Sequence, residues 1–247
     1  MAWGINDSGQ VVGSSQYTLG GSATHAAIWN GTTPTDLGTL GGSYSWAMGI
    51  NDSGQVVGWS NTSGNAAEHT TIWNGTTPTD LGTLGPGQHS AALAINDAGQ
   101  VVGWSDYDVT AFNYHATIWN GTTPTDLGTL GGGISLAWGI NDSGQVVGSS
   151  QYILGDSATH AAIWNGATPT DLNDFLSVSD VNAGWYLSVA NGINDSGWIV
   201  GQANNIITGE MHAFLLTPVP EPETYALFMA GLGLMGFIAR RRKNDQA

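Results

Sequence analysis

The chain has 247 residues, 41% of them hydrophobic, with 37 glycines, 11 tryptophans and a formal net charge of -15. Its four basic residues stand together as Arg240, Arg241, Arg242 and Lys243, so residues 1–239 carry acids but no Lys or Arg. A body without cations cannot neutralise phosphates, which excludes nucleic acid and anionic lipid headgroups as its partners, and the absence of cysteine excludes disulfides and thiolate chemistry.

The first element is the decapeptide GINDSGQVVG at 4–13. It returns at 49–58 and 139–148, with the variants AINDAGQVVG at 94–103 and GINDSGWIVG at 192–201. Its asparagines, Asn6, Asn51, Asn96, Asn141 and Asn194, are separated by three steps of 45 residues and one of 53, the period of a repeat architecture. An apolar residue, an N-D-S-G turn and a β-branched pair predict two short strands joined by a hairpin. Asn and Asp close Asx-type turns, and Gly9 and its equivalents supply the positive φ of a bulged hairpin.

The second half of the repeat reads HAAIWNGTTPTDLGTLGG at 25–42 and recurs, with small changes, at 69–86, 115–132 and 160–175. A β-prone stretch, an Asn-Gly pair, a Thr-Pro turn and an Asp-Leu stretch predict a third and a fourth strand. In the first repeat the strands are expected near 2–6, 10–15, 25–30 and 35–40. Pro34, Pro78, Pro124 and Pro169 mark the turns, and the segments after strand two, such as Asn61–Glu68 and Asp106–Tyr114, are the variable loops.

Four short strands in about 45 residues match a β-propeller blade rather than a β-helix coil or a helical solenoid. The expected fold is therefore all-β, a propeller of about five four-stranded blades over residues 1–217. The last blade is incomplete, because no fourth strand follows HAFLLTP at 212–218. The insertion at 171–191 accounts for the longer last step, and no segment before residue 224 shows a helical period. The near-identity of 2–31 and 137–166 reads as internal duplication.

Residues 218–247 are a different kind of object. Val219, Pro220, Glu221 and Pro222 precede an uncharged run at 224–239, followed by the cations Arg240, Arg241, Arg242 and Lys243. A helix of this run spans ~24 Å against a hydrocarbon core of ~30 Å, a difference that snorkelling arginines reduce. The run predicts a transmembrane helix with the cations as a cytoplasmic stop and the repeats outside.

These tail residues resemble the sorting signal of PEP-CTERM proteins of Gram-negative bacteria that make exopolysaccharide. The resemblance implies recognition by an exosortase, with the inner membrane as a stage of transit and the cell surface or matrix as the destination. The body resembles HAF-type extracellular repeats through His212, Ala213 and Phe214 and the pattern of residues 2–217. Such proteins carry an amino-terminal signal peptide, whereas no basic region, apolar stretch or cleavage site precedes the first repeat here. The expectation is that an upstream segment is missing.

The repeated polar residues are the candidates for chemistry. His25, His69, His115, His160 and His212 fall once per repeat, a spacing that separates them, so a tie between a strand and a neighbouring loop is expected rather than a metal centre. His89 lies outside the pattern, at a loop or strand edge. Asp7, Asp52, Asp97, Asp142 and Asp195 offer one carboxylate per turn where calcium loops offer several, so they are expected to close the turns. Asp36, Asp80, Asp126 and Asp171 receive the same assignment.

A glycosidase-type pair needs two acids in unlike environments, whereas symmetric repeats give like ones. Only Glu68, Asp106, Asp108, Asp174, Asp180 and Glu210 break the symmetry, and the alternative function, a secreted carbohydrate-active enzyme, would have to use them. Gly231, Gly233 and Gly236 spell G-x-G-x-x-G inside the apolar tail without a βαβ context, which speaks for helix packing and against a nucleotide site. Trp29, Trp73, Trp119 and Trp164 are expected to fill the space between blades. Other tryptophans, among them Trp3, Trp46, Trp59, Trp104 and Trp138, raise the option of stacking on sugars.

No catalytic residue, metal or cofactor is expected. The leading expectation is an exported, non-catalytic interaction module, with an exosortase, the membrane and polysaccharide as partners.

Overall fold

The computed structural model describes residues 1–16, 23–108, 113–153 and 158–218. The chain divides into a body, Met1–Leu216, and a tail, Thr217–Ala247. The sorting motif Val219–Pro222, the expected helix 224–239 and the stop Arg240–Lys243 lie outside the described residues. Among the described residues no helix is long and apolar enough to cross a membrane.

The body is all-β and consists of five antiparallel sheets, each formed by one repeat with its strands in chain order. The first sheet holds β1 (Ala2–Ile5), β2 (Val11–Gln16), β3 (Thr24–Asn30) and β4 (Thr33–Asp36). The second holds β5 (Gly41–Ile50), β6 (Gln55–Thr62), β7 (Glu68–Asn74) and β8 (Thr77–Gly82). The third holds β9 (Ser90–Ile95), β10 (Gln100–Asp106), β11 (Tyr114–Asn120) and β12 (Thr123–Asp126). In the fourth are β13 (Ser135–Ile140), β14 (Val146–Gln151), β15 (Thr159–Trp164) and β16 (Pro169–Asp171). Among the described residues the fifth has only β17 (Trp185–Ile193), β18 (Ile199–Asn205) and β19 (Met211–Leu216).

The decapeptide explains the inner hairpin of each sheet. In the first repeat the Gly9 N–H donates to the Asn6 carbonyl, the Gln10 N–H donates to Asn6 Oδ1, and Gly9 takes a φ of 75°. The glycine that ends the decapeptide has a separate cause. β1 is bulged between Ala2 and Gly4, which brings the Met1 carbonyl so close to Gly13 that a Cβ there would lie 2.0 Å from its oxygen. Gly58, Gly103, Gly148 and Gly201 face the same obstacle from the first strands of their own sheets.

The outer half differs from expectation in two respects. Asn30 pairs directly with Thr33, so Gly31, at φ 73°, and Thr32 form a two-residue turn and β4 starts earlier than expected. Pro34 consequently lies in β4, opposite Trp29, and Pro78, Pro124 and Pro169 lie in β8, β12 and β16. These are edge strands, the place in a sheet where a residue without an N–H is tolerated. The following Leu37–Leu40 segment is free to leave the sheet.

The insertion before the fifth repeat contains a 3-10 turn at Leu172–Phe175 and a short helix, α1 (Val178–Asn182), where no helix was expected. Five residues are too few to show a helical period. The Ser177 hydroxyl caps α1 by accepting the Asp180 N–H.

The core sits between successive sheets. Trp73 of the second sheet is buried with Val12, Ala26 and Leu37 of the first and with Ala47 and Val56 of its own. Trp119 packs in the same way with Val57 and Leu81, and Trp164 with Val102, Ala116 and Leu127. At the fourth junction Leu216 replaces the indole and joins Val147, Ala161, Leu172 and Ile199.

Candidate interaction sites and sorting signal

The five decapeptide turns meet at one place. Their Ile-Asn-Asp triplets, from Ile5–Asp7 to Ile193–Asp195, line a single open depression of about 310 Å³. Asn6 Nδ2 donates to the Asn51 carbonyl, Asn51 Nδ2 to that of Asn96, Asn96 Nδ2 to that of Asn141, and Asn141 Nδ2 to that of Asn194. A second ladder runs beside it, because the Asp7 N–H donates to the Asp52 carboxylate at 2.9 Å and the contact recurs for Asp52–Asp97, Asp97–Asp142 and Asp142–Asp195. Thus the carboxylates of Asp52, Asp97, Asp142 and Asp195 link neighbouring repeats, which corrects the expectation that the turn aspartates close their own turns. The asparagine closes the turn, and its amide is already committed on both sides.

The ladder has ends. Among the described residues no bond runs from Asn194 to Asn6, and Asn194 is exposed whereas Asn51, Asn96 and Asn141 are buried. Among the described residues no group of three or more His, Cys, Asp or Glu is placed to hold a metal ion.

A further junction contact escaped the sequence reading. The Leu40 N–H, in the segment that leaves the first sheet, donates at 2.8 Å to Ser60 Oγ on the second. Leu84 does the same to Ser105, and Leu130 to Ser150. The signal was present in the recurring T-L-G run and in the serine two residues after the decapeptide in each of the first four repeats, but periodicity alone does not say that the two meet.

The repeated histidines tie two strands of one sheet. His25 Nδ1 lies 3.0 Å from the Asp36 carboxylate, and His69–Asp80, His115–Asp126 and His160–Asp171 repeat the pair. The partner is the end of strand four rather than a loop, and Asp36 also accepts the Gly38 N–H, so it closes the turn as expected. Burial pushes the Asp126 carboxyl up. Hydrogen bonds from His115 and the Gly128 N–H, with the imidazolium charge, outweigh it and leave the group below its ordinary value. Asp171 is lowered by the same balance, with His160 and Asn173 as partners. His212 instead packs on Trp185, with ring centroids 4.6 Å apart. His89 stands just before β9, 3.9 Å from Glu68.

The acids outside the repeat pattern have local partners. Asp106 accepts the Gln88 and His89 N–H groups, Asp180 accepts the Ser177 hydroxyl, and Glu210 accepts that of Thr208. Asp108 lies near Asn113, and Asp174 is exposed in the insertion. Among the aromatics, Trp46 and Trp59 stack on each other, while Trp3, Trp138 and Trp198 are exposed.

The body thus shows a symmetric, internally bonded scaffold, and the segment that follows it carries the identifiable signal. Residues 218–243 match the PEP-CTERM protein-sorting motif. The match takes in Val219, Pro220, Glu221, Pro222 and the four cations. It marks an exported protein sorted to the cell surface and processed by an exosortase. No curated protein shows significant similarity to the chain.

Proposed function

We propose that the chain is a non-catalytic interaction module displayed on the surface or in the exopolysaccharide matrix of a Gram-negative bacterium. In this reading the five sheets are blades of a HAF-type β-propeller, and the 224–239 helix holds the protein in the inner membrane until an exosortase acts on the Pro220–Glu221–Pro222 segment. The observation that carries the proposal is the sorting signal on a body whose repeated polar side chains are spent on linking one sheet to the next. Exposed indoles at Trp3, Trp138 and Trp198 support polysaccharide as the ligand class, because aromatic faces pack on the apolar faces of sugars.

The test is a screen of the body against polysaccharides, scored separately for binding and for cleavage. Binding without cleavage, weakened by Trp138→Ala, is the expected result. Turnover of any polysaccharide that is lost on changing Asp106 or Asp174 would replace this proposal with a carbohydrate-active enzyme.

A further inference from the structure

The second to fifth repeats each present a front face to the sheet before them, and in the second, third and fourth sheets that face receives a turn. The Leu40, Leu84 and Leu130 N–H groups reach Ser60, Ser105 and Ser150. The glycines just after these leucines allow the approach, since a Cβ on Gly42, Gly87 or Gly132 would come within 2.2 to 2.4 Å of the Cβ of Asn61, Asp106 or Gln151. The turn is therefore read by a serine hydroxyl and by a surface that only glycine fits.

The first sheet carries the same receptor. Ser15 is the equivalent of Ser60, since Ser15 pairs with His25 as Ser60 pairs with His69. It lines a cavity of about 230 Å³ together with Gln16, His25, Ala27, Pro34 and Asp36. Its hydroxyl makes no hydrogen bond among the described residues.

We propose that this cavity is a binding site for a polypeptide turn of the Asp-Leu-Gly-Thr-Leu-Gly-Gly type, borne by a further repeat outside these five. The geometry is continuous with three junctions of the same molecule, which serve as its template. The five repeats of a second copy do not supply the turn. Their three T-L-G turns already occupy the serines named above, and among the described residues the fifth sheet ends at β19, with no fourth strand to carry one. The ligand is thus a repeat segment with a free glycine turn, docked by one N–H bond to Ser15 and by backbone packing on Gln16.

The probe is the fluorescent peptide Thr-Pro-Thr-Asp-Leu-Gly-Thr-Leu-Gly-Gly-Ser, the sequence of residues 33–43, titrated into the full chain. Saturable binding is expected below about 1 mM, the range of a short unconstrained segment. Replacing the peptide's last glycine by valine should abolish it. Ser15→Ala, which removes no hydrogen bond made among the described residues, should weaken it about three- to tenfold, as befits one hydrogen bond. Ser15→Tyr should block it, with circular dichroism to check that the body is folded. No saturation by 1 mM, equal binding of the valine peptide, or indifference to Ser15→Ala would overturn the assignment. Sedimentation velocity separates the other occupant, because a concentration-dependent dimer lost in Ser15→Tyr would show that a second copy fills the cavity.

Discussion

The junctions between the first four sheets and the junction to the fifth solve one problem with different parts. At the first three, a tryptophan from strand three fills the gap and a leucine N–H bonds the next serine. At the last, Leu216 stands for the indole, and Asn173 replaces the leucine turn by exchanging two hydrogen bonds with the Leu187 backbone. What does not change is the turn ladder, since Asn141 and Asp142 meet the fifth repeat as their equivalents meet the others. The inner ladder therefore sets the register of the array, while the outer packing is replaceable as long as it is apolar and bonded.

The largest contrast should come from the plug. Trp119→Ala empties a fully buried site and is expected to cost about 3–5 kcal/mol, whereas Leu216→Ala, at a half-buried position, should cost about 2 kcal/mol or less. Urea unfolding of both variants measures the difference. Equal losses would show that the last junction is as tightly packed as the others.

The ladder gives the next contrast. Asn96→Ala removes bonds to the Gln100 side chain, the Gln100 N–H and the Asn141 carbonyl, leaving buried groups unpaired at a cost of about 1–3 kcal/mol. Among the described residues the Asn194 side chain has only its bond from the Trp198 N–H, and the residue is exposed, so Asn194→Ala should cost about 1 kcal/mol at most. A larger loss at Asn194 would mean that something covers the end of the ladder in solution.

Much of this was legible in the residues. The hairpin, the strand order, the lack of a fourth strand in the last sheet among the described residues and the plug at Trp73, Trp119 and Trp164 follow from alternation, turn residues and period, whereas Trp29, expected to fill such a gap too, is only partly buried. The Asn6 and Asp7 contacts were not legible, because a local Asx turn and a bond to the next repeat use the same residue types at the same spacing. Pro34 misled for a related reason, since an edge strand and a turn accept proline equally well. α1 is too short to announce itself, and its Ser177 cap and Asp180 read as loop residues.

Acid should distinguish the sheets more gently. Asp126 and Asp171 are lowered in the folded state, so their ties to His115 and His160 stabilise fully above the ordinary value of 3.8 and are lost as the pH falls through the lower folded values. The fifth sheet, where His212 meets Trp185, has no such tie among the described residues. Thermal melts from neutral pH to below 3.8 should therefore show a decline that is shallower in Asp126→Asn and Asp171→Asn and unaltered by His212→Ala. An equally steep decline in all three would place the acid sensitivity elsewhere.

The central claim is that the carboxy-terminal signal, and not the repeats, decides where the protein goes. Its most direct test is fractionation of exosortase-bearing cells that express a version fitted with an export signal, comparing the parent with a Pro220→Ala/Glu221→Ala variant by blotting against the body. The account predicts the parent at the cell surface or in the medium and the variant retained in the membrane fraction. A variant that reached the surface as efficiently as the parent would contradict it.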